Sequence, residues 1–188
     1  HVYHLEISLG YQHRGVERAL IGAPHARARH YVETLAGDTS IGHATAYAQI
    51  VEALAGVEAP GEAHALRAVA LELERLANHA GDLGALAGDV AFLPTASYCG
   101  RIRGDLLNLT ALLCGNRFGR GLVVPGGTAC DCDDDRRAEI LARLQVISSD
   151  LHGAIELLWI TPSVVARFQG VGALPPERCI EMGFVGVT

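Results

Sequence analysis

The sequence predicts a mainly helical bundle with a short N-terminal strand. Apolar residues return every three or four positions over several long stretches, the spacing of an amphipathic helix. Proline falls at the ends of those stretches, where it opens or closes helices. Aromatic residues make up only 5% of the chain while alanine is abundant, a composition that argues against a β-sandwich.

Element by element, Val2, Leu5, Ile7 and Leu9 show the partial two-fold alternation of a short strand, which Gly10 closes. Tyr11 to Ile21 has helical character, and Pro24 can open another short helix carrying Arg27, Arg29 and His30. Ser40 to Ala55 reads as a helix, with Ile41, Tyr47, Ile50, Val51 and Leu54 on helical spacing. Gly56 and Pro60 bracket a turn. Glu62 to about Val90 is the strongest element, with Leu66, Val69, Leu73, Leu76, Leu83 and Leu86 as its candidate core face. Gly81, Gly84 and Gly88 each cost that helix up to about 1 kcal/mol relative to alanine, so it bends there or lets another backbone approach. Pro94 resets the chain, a further helix runs from Ala96 to Leu113, and Pro125-Gly126-Gly127 turns the loop Gly119 to Thr128. Ile140, Leu141, Leu144, Ile147, Leu151, Ile155 and Leu158 form a last long stripe that Pro162 closes, and Pro175-Pro176 opens a short helix reaching Met182. With neither repeat nor linker, residues 1–188 read as a single domain. It opens on His1 and stops at Thr188 without a polar tail, and we expect it to be truncated at both ends.

Charge narrows the function classes. Fifteen basic residues, all arginine, face 21 acidic ones for a formal charge of −6, which argues against nucleic acid or an anionic membrane surface as the main partner. Without lysine the chain can form neither a Schiff base nor a phosphate-loop lysine contact. Five scattered cysteines read as reduced thiols and not as a disulfide frame. No uncharged apolar run approaches the ~18–20 residues that span a bilayer. Nucleotide, serine-hydrolase and zincin signatures are all absent.

Among charged clusters, Cys130-Asp131-Cys132 has the wrong spacing for a zinc pair, and Asp133-Asp134-Asp135 reads as a helix cap. Glu72, Arg75, His79 and Asp82 share one helical face and read as a solvated stripe. His25 and His30 read as surface residues. Arg101, Arg103 and Asp105 either face a substrate or pair with acids along their helix. His13-Arg14-Gly15-Val16-Glu17 and, some twenty residues on, Ala36-Gly37-Asp38-Thr39-Ser40-Ile41-Gly42-His43 carry charged groups around glycines.

These two stretches, LGYQHRGVE and GDTSIGHATAYAQIVEAL, resemble the large subunit of membrane-bound group 4 [NiFe] hydrogenases of the formate-hydrogenlyase type. They also resemble the 49 kDa chain of NADH:quinone oxidoreductase (complex I), a homologue of that large subunit. LELERLANHAGDLGALAGDVAF, RIRGDLLNLT, GNRFGRGLVVPGG and ARFQGVGALPPERCIEMGFVG follow the same family in order, so the resemblance covers nearly the whole chain. It implies the hydrogenase large-subunit fold, an oxidoreductase complex peripheral to the cytoplasmic face of a bacterial inner membrane, an iron–sulfur small subunit as partner, and quinone as a candidate ligand. Any association with NADH would belong to partner subunits.

The departures from the family are informative. Where the hydrogenases carry a Cys-Gly-x-Cys pair that holds nickel and iron, this chain has Ala36-Gly37-Asp38-Thr39. Alanine and threonine cannot replace soft thiolates, so no nickel–iron centre and no metal ligand are expected in this chain. The quinone-binding tyrosine of the relative maps onto Gly37, and the histidine beside its nearest iron–sulfur cluster maps onto Gly119. His13, Arg14, Glu17, His43, Arg101 and Arg103 match the family. Glu17 takes the place of a glutamate implicated in proton transfer, a role suited to a buried carboxylate near an arginine. We therefore expect a polar proton-transfer cavity bounded by Arg14, Glu17, Asp38, Thr39 and His43, with His13, Thr39, Arg101 and Arg103 as the cofactor-facing residues. The rival readings are a non-catalytic scaffold subunit that kept the fold and a free-standing helical ligand-binding domain.

Overall fold

A computed structural model describes residues 3–22 and 26–184, and within them the chain is mainly helical. Two short helices, α1 (Val16–Leu20) and α2 (Ala28–Val32), precede α3 (Ser40–Ala55), α4 (Gly61–Asp89) and α5 (Leu93–Cys114). A two-residue hairpin of β1 (Val123–Val124) and β2 (Gly127–Thr128) then leads into α6 (Asp134–Trp159), α7 (Pro162–Phe168) and α8 (Pro176–Glu181). Asp133 caps α6, its carboxylate accepting from the Arg136 amide at 2.8 Å, as the acid run predicted.

The N-terminal strand does not form. Residues 3–10 are irregular, and among the described residues the only strands are those of the hairpin, antiparallel with Val123 opposite Thr128. Leu5, Ile7 and Leu9 all stand exposed. Alternation alone does not make a strand, because its amides and carbonyls need a neighbouring strand to pair with. Val2, Pro24 and His25 lie outside the described residues, while Arg29 and His30 sit on α2 as expected.

Helix α4 packs between α3 and α5, and α5 packs α6 against its other side. Only part of the leucine stripe of α4 is buried: Leu73 is enclosed, and Leu66 and Leu83 pack against the core. Val69, Leu76 and Leu86 are 46%, 36% and 49% exposed, whereas Ala63, Ala70, Ala77, Ala80 and Ala87 are buried. Ala63, Ala70, Ala77 and Gly84 recur every seventh residue, a seam of small side chains that brings α5 close. At Gly84 a β-carbon would lie 3.1 Å from the Cys99 Cβ and 3.4 Å from the Ala96 carbonyl, so this glycine serves close approach and not a bend. Larger residues fill the core from the facing elements: Ile41 of α3, Ile102, Leu106, Leu109 and Leu113 of α5, Leu122 and Val123 of the hairpin region, and Ile140 and Ile147 of α6.

Candidate functional site

A second seven-residue series runs beside the alanine seam of α4: Arg67, Glu74 and Gly81. Each holds a different neighbour. Arg67, buried, donates to both carboxylate oxygens of buried Glu52 on α3 (2.6 and 3.2 Å) and to the carbonyls of Val124 and Gly127. The Gly126 amide donates to Glu52 Oε1 at 2.7 Å, so one ion pair ties α3, α4 and the hairpin together. The guanidinium holds the Glu52 carboxyl below the usual glutamate range, against the opposing effect of burial.

Glu74, also buried, accepts the first amides of α3, from Ile41 at 2.7 Å to Oε2 and from Gly42 at 3.1 Å to Oε1. It does for α3 what a capping side chain does from within the sequence, satisfying two amides that a helix leaves open. Burial raises the pKa of its carboxyl, with nearby Asp38 adding in the same direction, and the two amide bonds and His43 oppose that.

Gly81 leaves the space through which Arg103 of α5 passes. A β-carbon there would stand 3.0 Å from Arg103 Cδ and 3.1 Å from Nε. The guanidinium reaches Asp38, donating from Nη2 to Oδ1 at 3.2 Å, and the Asn78 side-chain amide donates to the Asp38 carbonyl at 2.9 Å. Asp38, Asn78, Gly81, Asp82 and Arg103 line an open cleft of about 460 Å³. Asp38, Asn78 and Arg103 also border a narrower crevice that runs inward to Glu74, Thr110 and Ile41, with Arg117 and Phe118 at its side.

The residues singled out in the sequence distribute over four places. Asp38 and Arg103 meet in the cleft. Thr39 and His43 form a local pair at the start of α3, with His43 Nδ1 2.8 Å from the Thr39 carbonyl and 3.1 Å from its hydroxyl. Arg14 donates to the Leu35 carbonyl at 3.2 Å, and His13 Nδ1 accepts the Gly15 amide that precedes α1. Glu17 is exposed on α1, not buried, and neither it nor Arg14, Thr39 or His43 lines the Asp38 cleft. Arg101 points away from all of these. It bonds Asp105 at 2.7 Å and Asp150 of α6, and lies over the Tyr98 ring, 4.8 Å from its centroid. Of the two readings of this helix, Arg101 follows the ion-pair one and Arg103 the cleft-facing one. The stripe of Glu72, Arg75, His79 and Asp82 is solvent-exposed as read, although Asp82 also borders the cleft.

Glu74 and Asn78 were not singled out from the sequence. The seven-residue repeat of Arg67, Glu74 and Gly81, in step with the alanines, was the signal that could have found Glu74.

The donor set at residues 36–39 does not fit a nickel–iron pair. Ala36 offers no ligand, the Thr39 hydroxyl engages His43, and the Asp38 carboxylate engages Arg103. Cys114 and Cys130 lie near one another at the C-terminal end of α5, and Cys99 is buried in the core. Among the described residues no three His, Cys, Asp or Glu side chains are grouped to hold a metal ion, and no helix is long and apolar enough to cross a membrane.

Comparison with known proteins places this sequence in a family. Residues 89–188 match the model of the respiratory-chain NADH dehydrogenase 49 Kd subunit. An NADH-quinone oxidoreductase subunit of Saccharopolyspora erythraea is 31% identical over 95% of this chain and 40% of its own length. Membrane-bound hydrogenase subunit alpha of Pyrococcus furiosus is 26% identical over 100% of this chain and 44% of its own. Hydrogenase-4 component G of Escherichia coli is 30% identical over 94% of this chain and 32% of its own. The chain thus spans less than half the length of each of these curated relatives. Both branches read from the sequence are present among them, and the chain belongs to the family of the respiratory-chain NADH dehydrogenase 49 Kd subunit.

Proposed function

We propose that this chain is a subunit of a membrane-associated oxidoreductase complex in which electron transfer, carried by partner subunits, is coupled to proton transfer in the Asp38 cleft. The observation that carries the reading is the Asp38–Arg103 pair. A carboxylate stands inside the segment 36–39, between the two positions that resemble the hydrogenases' metal-binding cysteines; it opens to a polar cleft, and an arginine from another helix holds it. A carboxylate held at the mouth of an open polar cleft is placed to pass protons to and from the water there.

The partners in this reading are an iron–sulfur small subunit and further subunits of the complex, with quinone as the candidate acceptor and the cytoplasmic face of a bacterial inner membrane as the location. The chain itself would hold no metal, consistent with the thiolate-free segment 36–39. Large apolar side chains exposed along residues 3–11 and on the last helices, among them Leu9, Trp159, Ile160 and Ile180, suit a protein covered by neighbours, whether partner subunits or a second copy.

The test is Asp38→Asn in the intact complex. Proton-coupled turnover falls if Asp38 carries protons, and unchanged turnover removes it from that role. Metal analysis of the purified complex is the second check, since one nickel per copy of this chain would overturn the metal-free reading.

A further inference from the structure

We propose that Glu74 is the inner proton-holding group of the Asp38 cleft, taking up a proton that enters past Asp38 and releasing it by the same path. The inference deepens the proton-transfer reading above and rests on it. Three features of the molecule carry it.

The first is a lack of compensation. Glu33, Glu52 and Glu74 are all buried, and each accepts a backbone amide from a distant segment. Glu52 has the Arg67 guanidinium as a buried countercharge, and Glu33 has the exposed His30 imidazole at 3.7 Å, a countercharge only when protonated. Among the described residues Glu74 has no cation within ion-pair distance, and two neutral amides are its hydrogen-bond partners. A buried carboxylate with no ion-pair partner is the kind that changes protonation state most readily. The second feature is access. Glu74 lines a narrow crevice that Asp38, Asn78 and Arg103 also border, and the same three residues line the open cleft, so its carboxyl lies behind the cleft wall. The third is coupling. The oxygens that would take the proton hold the first turn of α3, and Asp38 lies immediately before that turn.

The charged groups around Glu74 are Asp38 before α3, His43 on α3, Arg103 on α5 and Arg117 after α5, while Asp82 of its own helix lines only the outer cleft. The step itself is a simple proton transfer. A hydronium ion in the cleft gives its proton to Oε1, the oxygen with the longer amide contact; an O–H bond forms on the carboxyl and one breaks on the donor, leaving water. Oε1 then ceases to be a good acceptor for the Gly42 amide, while Oε2 keeps Ile41. Release reverses each bond.

Carbon-13 titration of the glutamate carboxyls in the unmodified 188-residue chain, read together with amide exchange at Ile41 and Gly42, tests this directly. The expected result is a Glu74 midpoint above 4.5, the ordinary glutamate value, with Gly42 exchange rising below that midpoint more than Ile41 exchange. Assignment comes from Glu74→Gln, whose spectrum lacks that titration; if this variant does not fold, through-bond assignment in the unmodified chain replaces it. A Glu74 that titrates at or below the ordinary value, or a Gly42 amide indifferent to the titration, overturns the proposal whatever Asp38→Asn does to turnover. Loss of turnover in Asp38→Asn with an ordinary Glu74 would leave the cleft its role and take Glu74 out of it.

Discussion

Two carboxylate–arginine pairs join neighbouring elements of this molecule, and they are built to opposite ends. Glu52–Arg67 is buried, bidentate and closed by backbone groups of the hairpin, so that nearly every polar atom of the pair is engaged. Asp38–Arg103 is a single contact at 3.2 Å on an open cleft, with the Asp38 side chain 67% exposed. The first cannot exchange protons or ligands without unfolding its surroundings. The second can, at small structural cost. Helix α4 serves both, since Arg67 and Gly81 are two repeats apart on one face, with Glu74 midway between them. A rigid half thus holds the chain from which an open half is hung.

The sharpest way to break that contrast is Arg67→Met. Removing the guanidinium leaves the Glu52 carboxylate buried without its countercharge and two hairpin carbonyls without a donor, which costs about 3–5 kcal/mol. Equilibrium denaturant unfolding reads the loss, and an effect under about 1 kcal/mol would mean that the buried pair is no stronger than a surface one.

Gly119→Ala comes next. Its φ of +68° is left-handed, and a β-carbon would stand 2.3 Å from Ile41 Cδ1 at the start of α3. Backbone strain of about 1–2 kcal/mol adds to an overpacking cost of about 1–3 kcal/mol. Because Ile41 also donates its amide to Glu74, the damage should spread to the open half, seen as faster amide exchange at Ile41 and Gly42.

Acid separates the two regions further. The Glu52 carboxyl is lowered in the folded chain, so its contribution is fully present above the ordinary value of 4.5 and is lost as pH falls through the lower folded value. Glu74 is raised, so its contribution has the opposite sign, and stability gains as pH falls through the folded value toward 4.5. Glu52→Gln should therefore flatten the acid limb of a stability–pH curve below 4.5 and leave the region just above it unchanged. A curve whose acid limb survives in that variant would assign the limb to other carboxylates.

How much of this was legible in the sequence follows from which contacts are local. The bounds of α3 and the cap at Asp133 were readable because their signals lie within one element. The core face of α4 was only half legible: Leu66, Leu73 and Leu83 do meet the core, but a close helix contact also selects small residues, which a stripe of large apolar ones does not reveal. Leu76 and Leu86 face outward, and Ala70 and Ala77 are buried in the core that α4 shares with α5. Arg101 and Arg103 look equivalent in sequence, yet at 3.6 residues per turn two positions apart is more than half a turn, so one meets α6 and the other Asp38. The Glu52–Arg67 and Glu74–Ile41 contacts join residues on different helices, and no local pattern announces them. The expected cavity of Arg14, Glu17, Asp38, Thr39 and His43 joined residues by family position, while their side chains engage separate neighbours.

The smallest expected effect on stability belongs to the residue with the largest expected effect on turnover. Asp38→Asn removes one exposed ion-pair contact, worth about 0.2–1 kcal/mol, and keeps the backbone carbonyl that Asn78 holds. The unfolding curve of the variant should nearly overlay that of the parent, and raising the salt concentration should narrow the remaining gap, because exposed charges are screened. That near-identity is what makes the turnover measurement interpretable: a defect in a fully folded chain belongs to the carboxylate. Should Asp38→Asn instead cost as much as Arg67→Met, the cleft pair would be a structural clasp like its buried counterpart, and the division of the molecule into a rigid half and an open one would fail.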